Sequence, residues 1–482
     1  MKERLMVDTL RCFIENDREY HIALLAGLRK TGKTTILKQL QSYYPDSVYI
    51  DLSQSPDGYL EIQEAFFEQT VSLLLLDEIT YLDDYELIAQ SLYNYKNGKL
   101  KYKVIITGSS LAHIVKLYCT KLGGGRARFY RLPLLTFIEY LYFTGRIGSY
   151  ADYDNVSNSD FSEYLQLKGL DATEASELVV TFDSNYFQSF YMENTVSNSN
   201  TRISYSKIDL KVGDLESLLD LIAYKLGDFH AYSSIIKPKV GGKEHISLFN
   251  EGVKFSIAKT DLSSTFVNVS SRIIKSVPAS TKGRILRFLL DSGLAYVQYV
   301  DRAESVEDTF DIGEILSILG KCEKESELIR LFSEVTINIV SPLFYTRLGF
   351  DIIKQAGISP DKLCSGMMLG MMLEMYLCGS ICSWSDNAIL VSRKLDYPNI
   401  GEVDIFSEKH RLLCESTISD KESRRIHVSK YYKSHYLIRV CSSRTKNVFN
   451  GDYYQIPYAK LCCMVDTGDL FHLDKTTIAE NY

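Results

Sequence analysis

The chain has 482 residues, 45% of them hydrophobic and 24% charged, with a formal net charge of −7 at pH 7. That length exceeds what one hydrophobic core organises and predicts two to four domains, and the composition excludes a chain dominated by disorder. The negative balance excludes a surface that is basic throughout, as a general nucleic-acid glove requires, and leaves room only for local basic faces.

In chain order, the opening MKERLMVDTL carries no apolar stretch of signal-peptide length. The first strong element is the apolar run Ile22-Ala23-Leu24-Leu25-Ala26, a buried-type strand. It leads into Gly27-Leu28-Arg29-Lys30-Thr31-Gly32-Lys33-Thr34, which fills every constrained position of a phosphate-binding loop, with Thr35 opening the helical stretch behind it. Each residue type there has a physical reason. The glycines let successive backbone N–H groups turn toward phosphates, the Lys33 ammonium reaches the β/γ oxygens, and the Thr34 hydroxyl is placed to hold Mg²⁺.

A second apolar run, Ser72-Leu73-Leu74-Leu75-Leu76-Asp77-Glu78, reads as a central parallel strand ending in two acids at the sheet's crevice. Asp77 is the expected metal-holding carboxylate, acting through water, and Glu78 the expected catalytic group that polarises the attacking water. A third strand, Lys103-Val104-Ile105-Ile106-Thr107-Gly108-Ser109-Ser110, offers the hydroxyls of Thr107 and Ser109 to sense the γ-phosphate or hold the water. A plain Gly-Ser turn gives the same string. Strands at 21–26, 47–52, 73–77, 104–107 and 128–132, alternating with helices, predict a parallel α/β sheet with helices on both faces. Asp51, at the end of the second, is expected to cap the strand rather than to serve a site.

The segments GLRKTGKTTILKQL, LLLLDEITYL, KVIITGSSLAHI and GGGRARFYRLPLLTFIEYL, in this order, resemble the AAA-type P-loop ATPase module of a large prokaryotic family. The resemblance is strong over residues 1 to about 142 and weak after it. It implies ATP or ADP with Mg²⁺ as ligands. It also implies a C-terminal domain of unknown function that contains a winged helix and a restriction-endonuclease-like fold. In that family a Gly-Arg pair precedes a Pro-Leu-Ser-Phe-like stretch; here these fall on Gly125-Arg126 and Pro133-Leu134-Leu135-Thr136-Phe137. The resemblance makes Arg126 a phosphate-sensing or finger arginine. A surface arginine in a basic turn with Arg128 and Arg131 is the plainer reading.

The rest of the chain divides by texture into a connecting region at 143–213, a helical and winged-helix domain at 214–324, and a nuclease-like domain at 325–482. The connecting region is rich in Ser, Asn, Asp and Tyr and includes a short helical pattern at 161–167. Towards 300, a helix, a break at Ser276-Val277-Pro278, a second helix and the strand 294–300 follow winged-helix order. Lys282, Arg284 and Arg287 lie off the apolar face of the second helix, where DNA contacts are expected; a winged helix used for protein packing reads the same way.

From Leu363 to Trp384 the only charge is Glu374. Met and Gly dominate where a membrane span uses Leu, Ile and Val, and a central acid is costly in lipid, so a buried helix is expected and no membrane partner. Ten cysteines without a disulfide or paired zinc rhythm read as reduced thiols of a cytoplasmic protein. Glu374, Asp404 and Glu415 resemble the helix glutamate, strand aspartate and E-x-K strand of the nuclease-like fold, whose carboxylates hold divalent metal. Thr417 stands where that pattern has its lysine, so the site reads as degenerate. Beyond it, Arg424, Arg425, Lys430, Lys433, Arg439, Arg444 and Lys446 interleave with Tyr431, Tyr432 and Tyr436, a string suited to nucleic acid or to a solvated helix and edge strand. Three functions therefore compete: an ATP hydrolase that drives or gates its C-terminal domains on DNA or a protein partner, a low-turnover nucleotide-gated binding module, and an ATP-regulated nuclease. The oligomeric state stays open, because an arginine finger acts within or between chains.

Overall fold

The computed structural model describes residues 2–55, 57–67, 71–82, 85–96, 102–108, 113–114, 117–118, 122, 126–179, 283, 286, 290, 293–301, 324, 335–346, 364, 366–384, 390–397, 401–407, 409–416, 418, 435–441, 448–449 and 453–472. The N-terminal part runs α1 (Leu5–Asn16), β1 (Ile22–Gly27), α2 (Lys33–Tyr43), β2 (Ser47–Asp51), α3 (Gly58–Phe67), β3 (Leu73–Asp77), α4 (Tyr85–Lys96), β4 (Lys103–Gly108) and β5 (Arg128–Leu132). Its five strands form a parallel sheet in the order β2-β3-β4-β1-β5.

The uninterrupted apolar runs of β1, β3 and β4 follow from burial on both faces. Side chains alternate along a strand, so Ile22, Leu24 and Ala26 join Leu74, Leu76, Val104 and Ile106 in one core, beneath Ile62 of α3 and Ile88 and Leu92 of α4. Ala23 and Leu25 join Leu73, Leu75 and Ile105 in the other, against Val7, Leu10 and Phe13 of α1 and Ile36, Leu37 and Leu40 of α2. The result is a three-layer sandwich with helices on both faces. Asp51 ends β2 as the sequence suggests, its Oδ1 accepting from the Ser53 N–H and hydroxyl at 3.0 and 2.6 Å.

Next come α5 (Phe137–Phe143), α6 (Asn158–Leu165) and α7 (Ala172–Leu178). The C-terminal part contains β6 (Ala295–Asp301), β7 (Val335–Ile339), α8 (Leu343–Thr346), α9 (Gly366–Ser383), β8 (Val391–Tyr397), β9 (Gly401–Ser407), β10 (Leu412–Glu415), β11 (Tyr436–Cys441), β12 (Val448–Phe449), β13 (Tyr454–Pro457) and α10 (Tyr458–Thr467). Its strands form a mixed sheet in the order β12-β13-β11-β10-β9-β8-β6-β7. The strand that follows the winged-helix order in the sequence is β6 of this sheet, parallel to β8 and antiparallel to β7, while residues 271–282 before it lie outside the described residues. Helix-turn-helix-strand order does not fix the strand's partners, which lie about 40 and about 90 residues downstream.

One apolar cluster crosses the expected boundary at residue 142. It joins Phe137, Tyr140 and Leu141 of α5 and Phe161, Tyr164 and Leu165 of α6 to Tyr296, Leu373, Leu377, Ile405, Ile438 and Cys462 of the C-terminal part. The segment that mimics a membrane span is α9, whose Leu373, Leu377 and Cys378 are buried in this cluster; no helix among the described residues is long and apolar enough to cross a membrane. The thiols of Cys378, Cys382, Cys462 and Cys463 are buried and pushed up by desolvation, Cys382 to about 12, which keeps them protonated and unreactive.

Candidate nucleotide site

The loop leaves β1 at Gly27 because the backbone of β5 passes close by: a Cβ at Gly27 would lie 3.0 Å from both the Cβ and the carbonyl oxygen of Leu132. Five residues on, Gly32 adopts φ +94° as the N-cap of α2, a left-handed conformation that L side chains rarely hold. Lys30 is also left-handed, at φ 62°. The Thr31 hydroxyl donates to the Leu28 carbonyl at 2.7 Å and closes the turn. Among the described residues no side chain caps the first turn of α2, so its N–H groups and positive dipole end suit an anion.

Lys33 is buried, and its ammonium donates to the carbonyls of Gly27 and Leu28 at 3.0 and 2.9 Å. Its Nζ lies 3.8 Å from Glu78 Oε1. Burial pushes this ammonium below its ordinary range, while the Glu78 and Asp77 carboxylates act the other way.

Strand β3 delivers Asp77 beside the loop, 1% exposed. Its Oδ2 accepts from the Tyr49 hydroxyl at 3.0 Å and its Oδ1 from the Thr107 hydroxyl at 2.5 Å. Thr107 in turn accepts from the Glu78 N–H at 3.0 Å. One hydroxyl on β4 therefore fixes both acids of β3, because the register sets Thr107 between Leu25 of β1 and the end of β3. Glu78 sits at φ 54°, an uncommon backbone for a non-glycine residue, held by this bond. Sequence reasoning misses Tyr49, since a tyrosine in β2 carries no motif; burial and the Asp77 charge keep its phenol protonated, as a donor.

Lys33, Asp77, Glu78 and Thr107 thus meet at the C-terminal edge of the sheet, with Thr34 half-buried and Thr35 exposed at the start of α2. Arg29 is half-buried and Lys30 exposed on the loop's outer side. Ser109 lies outside the described residues. Arg126 is exposed just before β5, at the opposite end of the sheet, since Arg128 pairs with Ala23 and only Leu132 reaches Gly27. The phosphate-sensing or finger reading of Arg126 rests on the resemblance alone; spacing in sequence could not show which end of the sheet it occupies.

Behind the loop lies a polar connection that no motif signals. Arg4 donates from Nη1 to the Thr31 carbonyl at 2.8 Å, and from Nε and Nη2 to Glu139 Oε1 and Oε2 at 3.0 and 2.6 Å. Glu139 belongs to the capping box of α5 with Thr136. The other donors of that first turn go to the C-terminal part: Phe137 N–H to the Tyr376 hydroxyl oxygen at 2.7 Å, and Ile138 N–H to Asp466 Oδ2 at 3.1 Å. The Tyr376 hydroxyl donates to Asp466 at 2.7 Å.

Burial raises the Asp466 carboxyl to about 8; Tyr376 and the Ile138 N–H oppose the rise, and Glu139 adds to it. Tyr164 and Cys462 also lie within electrostatic range. A folded-state value above the unfolded one means that the native chain holds its proton longer. Stability from this group is therefore complete below about pH 4 and is lost as pH rises towards 8. Thermal melts of Asp466→Asn and wild type should diverge in the variant's favour across that window and run parallel above it. A constant difference from pH 4 to pH 9 would remove Asp466 as the cause.

The expected nuclease constellation is only partly assembled. Glu374, Asp404 and Glu415 all reach the Cys414 thiol electrostatically, where burial and then these charges push it up. Yet Asp404 pairs with Lys394 at 3.1 Å and accepts from the Ser416 N–H and hydroxyl at 2.9 and 2.8 Å, while Glu415 pairs with Arg439 at 2.9 Å. Among the described residues no group of three or more His, Cys, Asp and Glu side chains is arranged to hold a metal. Thr417 and the candidate DNA contacts Lys282, Arg284 and Arg287 lie outside the described residues, and so does the basic stretch 424–433.

The strand order and the loop-and-acid geometry agree with comparison to known proteins: a family model described as an AAA domain matches residues 19–141. Residues 19–141 are an AAA domain. The match ends within α5, the helix whose first turn also donates hydrogen bonds to the C-terminal part. An uncharacterised protein of Methanocaldococcus jannaschii is 29% identical over 267 residues, which cover 46% of this chain and 52% of that protein. The chain thus spans about half the length of the curated relative it matches. The AAA domain makes this part of the chain a nucleotide-binding, ATPase-like module.

Proposed function

We propose that the chain is an ATP hydrolase whose AAA domain binds ATP and Mg²⁺ at Gly27–Thr35 and whose nucleotide cycle gates the C-terminal domains on DNA or a protein partner. The observation that carries the reading is the Thr107 hydroxyl, which holds the Asp77 carboxylate and the Glu78 backbone at the edge where Lys33 lies. The residues suit the ligand. Lys33 and the uncapped N-terminus of α2 answer phosphate charge, while Thr34 and Asp77 supply the oxygens that a hard cation takes. Bound Mg²⁺ supplies charge neutralisation at the phosphates. Glu78 orients and polarises the attacking water, and Thr107 keeps Glu78 in place.

The pairing of Asp404 with Lys394 and of Glu415 with Arg439 supports a C-terminal domain that binds rather than cleaves, since metal would have to displace both ion pairs. Steady-state ATP turnover with and without duplex DNA separates a DNA partner from a protein partner. The test of the nucleotide site itself is titration of MgADP onto Lys33→Ala. Charge-assisted hydrogen bonds contribute about 1.5–3 kcal/mol each, so affinity should fall about a hundredfold or more. Wild-type affinity in a folded Lys33→Ala protein would refute the site.

A further inference from the structure

Arg4 precedes the matched AAA domain and lies on no motif, yet it is 8% exposed and its guanidinium bonds only to the nucleotide loop and to the segment leading into and through α5, among the described residues. Besides Thr31 and Glu139 it donates to the carbonyls of Pro133 and Leu134, both at 3.2 Å. A guanidinium is a flat fork with fixed donor directions, so Thr31 cannot move by an ångström without either breaking a bond or carrying Glu139 with it. Glu139 is itself tied on both sides, accepting from the Leu5 N–H at 3.1 Å and the Thr136 N–H at 3.0 Å. The next two N–H groups of α5 end on Tyr376 of α9 and Asp466 of α10. A cavity of about 60 Å³ is lined by Gly27 and Leu28 of the loop together with Tyr376, Gly379 and Ser380 of α9.

We propose that Arg4 is a positioning residue for the phosphate loop, and that Arg4, Glu139 and the first turn of α5 form a buried relay through which Tyr376 and Asp466 set the loop's affinity for nucleotide. The inference rests on the nucleotide reading and adds to it which residues outside the AAA domain regulate the site. Coupling of this kind is reciprocal: whatever α9 and α10 do to nucleotide affinity, nucleotide must do to α9 and α10. The Tyr376 hydroxyl and the Asp466 carboxyl are hydrogen-bonded to each other and to α5 rather than to the phosphate loop, so α5 is the hydrogen-bonded route by which they reach it.

The experiment uses the full chain with a fluorescent ADP analogue and amide hydrogen exchange. Tyr376→Phe should weaken the analogue about 5- to 150-fold, the usual range for coupled sites. In wild type, ADP should slow exchange in α10 as well as in α2. In Tyr376→Phe it should slow exchange in α2 alone. A merely structural loss raises exchange equally with and without ADP, so the ADP-dependent difference is the deciding quantity. If Tyr376→Phe does not fold, Glu139→Gln retains an acceptor for the capping box while giving up the charge that holds Arg4, and the same differences apply to it. Wild-type affinity in a folded Tyr376→Phe, or an α10 that ADP leaves unchanged in wild type, overturns the relay. Should Lys33→Ala keep its ADP, the nucleotide reading falls instead; should Lys33→Ala lose ADP while Tyr376→Phe binds normally, only the relay falls.

Discussion

Glu78→Gln should bind MgATP about as well as wild type and hydrolyse it at least about a hundredfold more slowly, because a positioned general base contributes about 10²–10⁴ in rate. The substitution keeps the shape and leaves the backbone bond from the Glu78 N–H to Thr107 in place, so the residue stays in its left-handed conformation. What changes is the charge, 3.8 Å from the Lys33 ammonium and 18% exposed. An amide is neither a base toward water nor a counter-ion. A coupled ATPase assay beside a binding titration reads both quantities, and equal turnover by the two proteins would take Glu78 out of the catalytic step. Asp77 is not interchangeable with it, since both Asp77 oxygens are engaged by hydroxyls while Glu78 faces the loop lysine.

The second large effect is on stability. Arg4→Met should destabilise the fold by about 3–5 kcal/mol, because it leaves the Glu139 carboxylate buried without its cation. The pair is 2.6 Å apart, with side chains 10% and 2% exposed, so water cannot replace the lost partner cheaply. Chemical denaturation of Arg4→Met, Glu139→Gln and the double variant resolves the pair. The double variant should recover a good part of the loss, because it removes both charges together. Simple additivity of the two single losses would mean that the ion pair is not the source. By contrast, removing exposed Arg128 from its pair with Asp17 should cost well under this, as surface pairs do.

How much of the fold and site is legible in the sequence depends on where each signal lives. The central strands β1, β3 and β4 of the AAA domain stand in the sequence because parallel strands buried on both faces cannot hide their composition, and the loop stands there because few residue types tolerate its backbone. Thr107 can be named but not chosen over Ser109; only the register of β4 between β3 and β1 brings its hydroxyl to the acids. Arg126 reads in sequence as a phosphate-sensing or finger arginine or as a surface arginine, and only the structure shows that it precedes β5 at the end of the sheet away from Gly27, since a motif gives order along the chain and not the end of the sheet. Arg4, Glu139, Tyr376 and Asp466 are invisible for a different reason. Their partners lie 135 and 328 positions apart, and a pairing across such distances leaves no periodicity in either segment. The strand 294–300 is legible as a strand but not in its neighbours, which are set by the C-terminal sheet.

The bond from the Ile138 N–H to Asp466 also constrains when the molecule can be finished. A chain made from its N-terminus exposes the whole AAA domain long before residue 466 is synthesised, and at about 5–20 residues per second the interval is roughly 15 to 65 seconds. During that time the first turn of α5 has two backbone donors without their final acceptors, and the aromatic side chains of α5 and α6 have no C-terminal helices to cover them. The strands of the nucleotide sheet assemble from nearby segments, whereas the seat of α5 closes only across most of the chain's length. Until α10 arrives, the first turn of α5 lacks the Asp466 acceptor that it has in the folded chain.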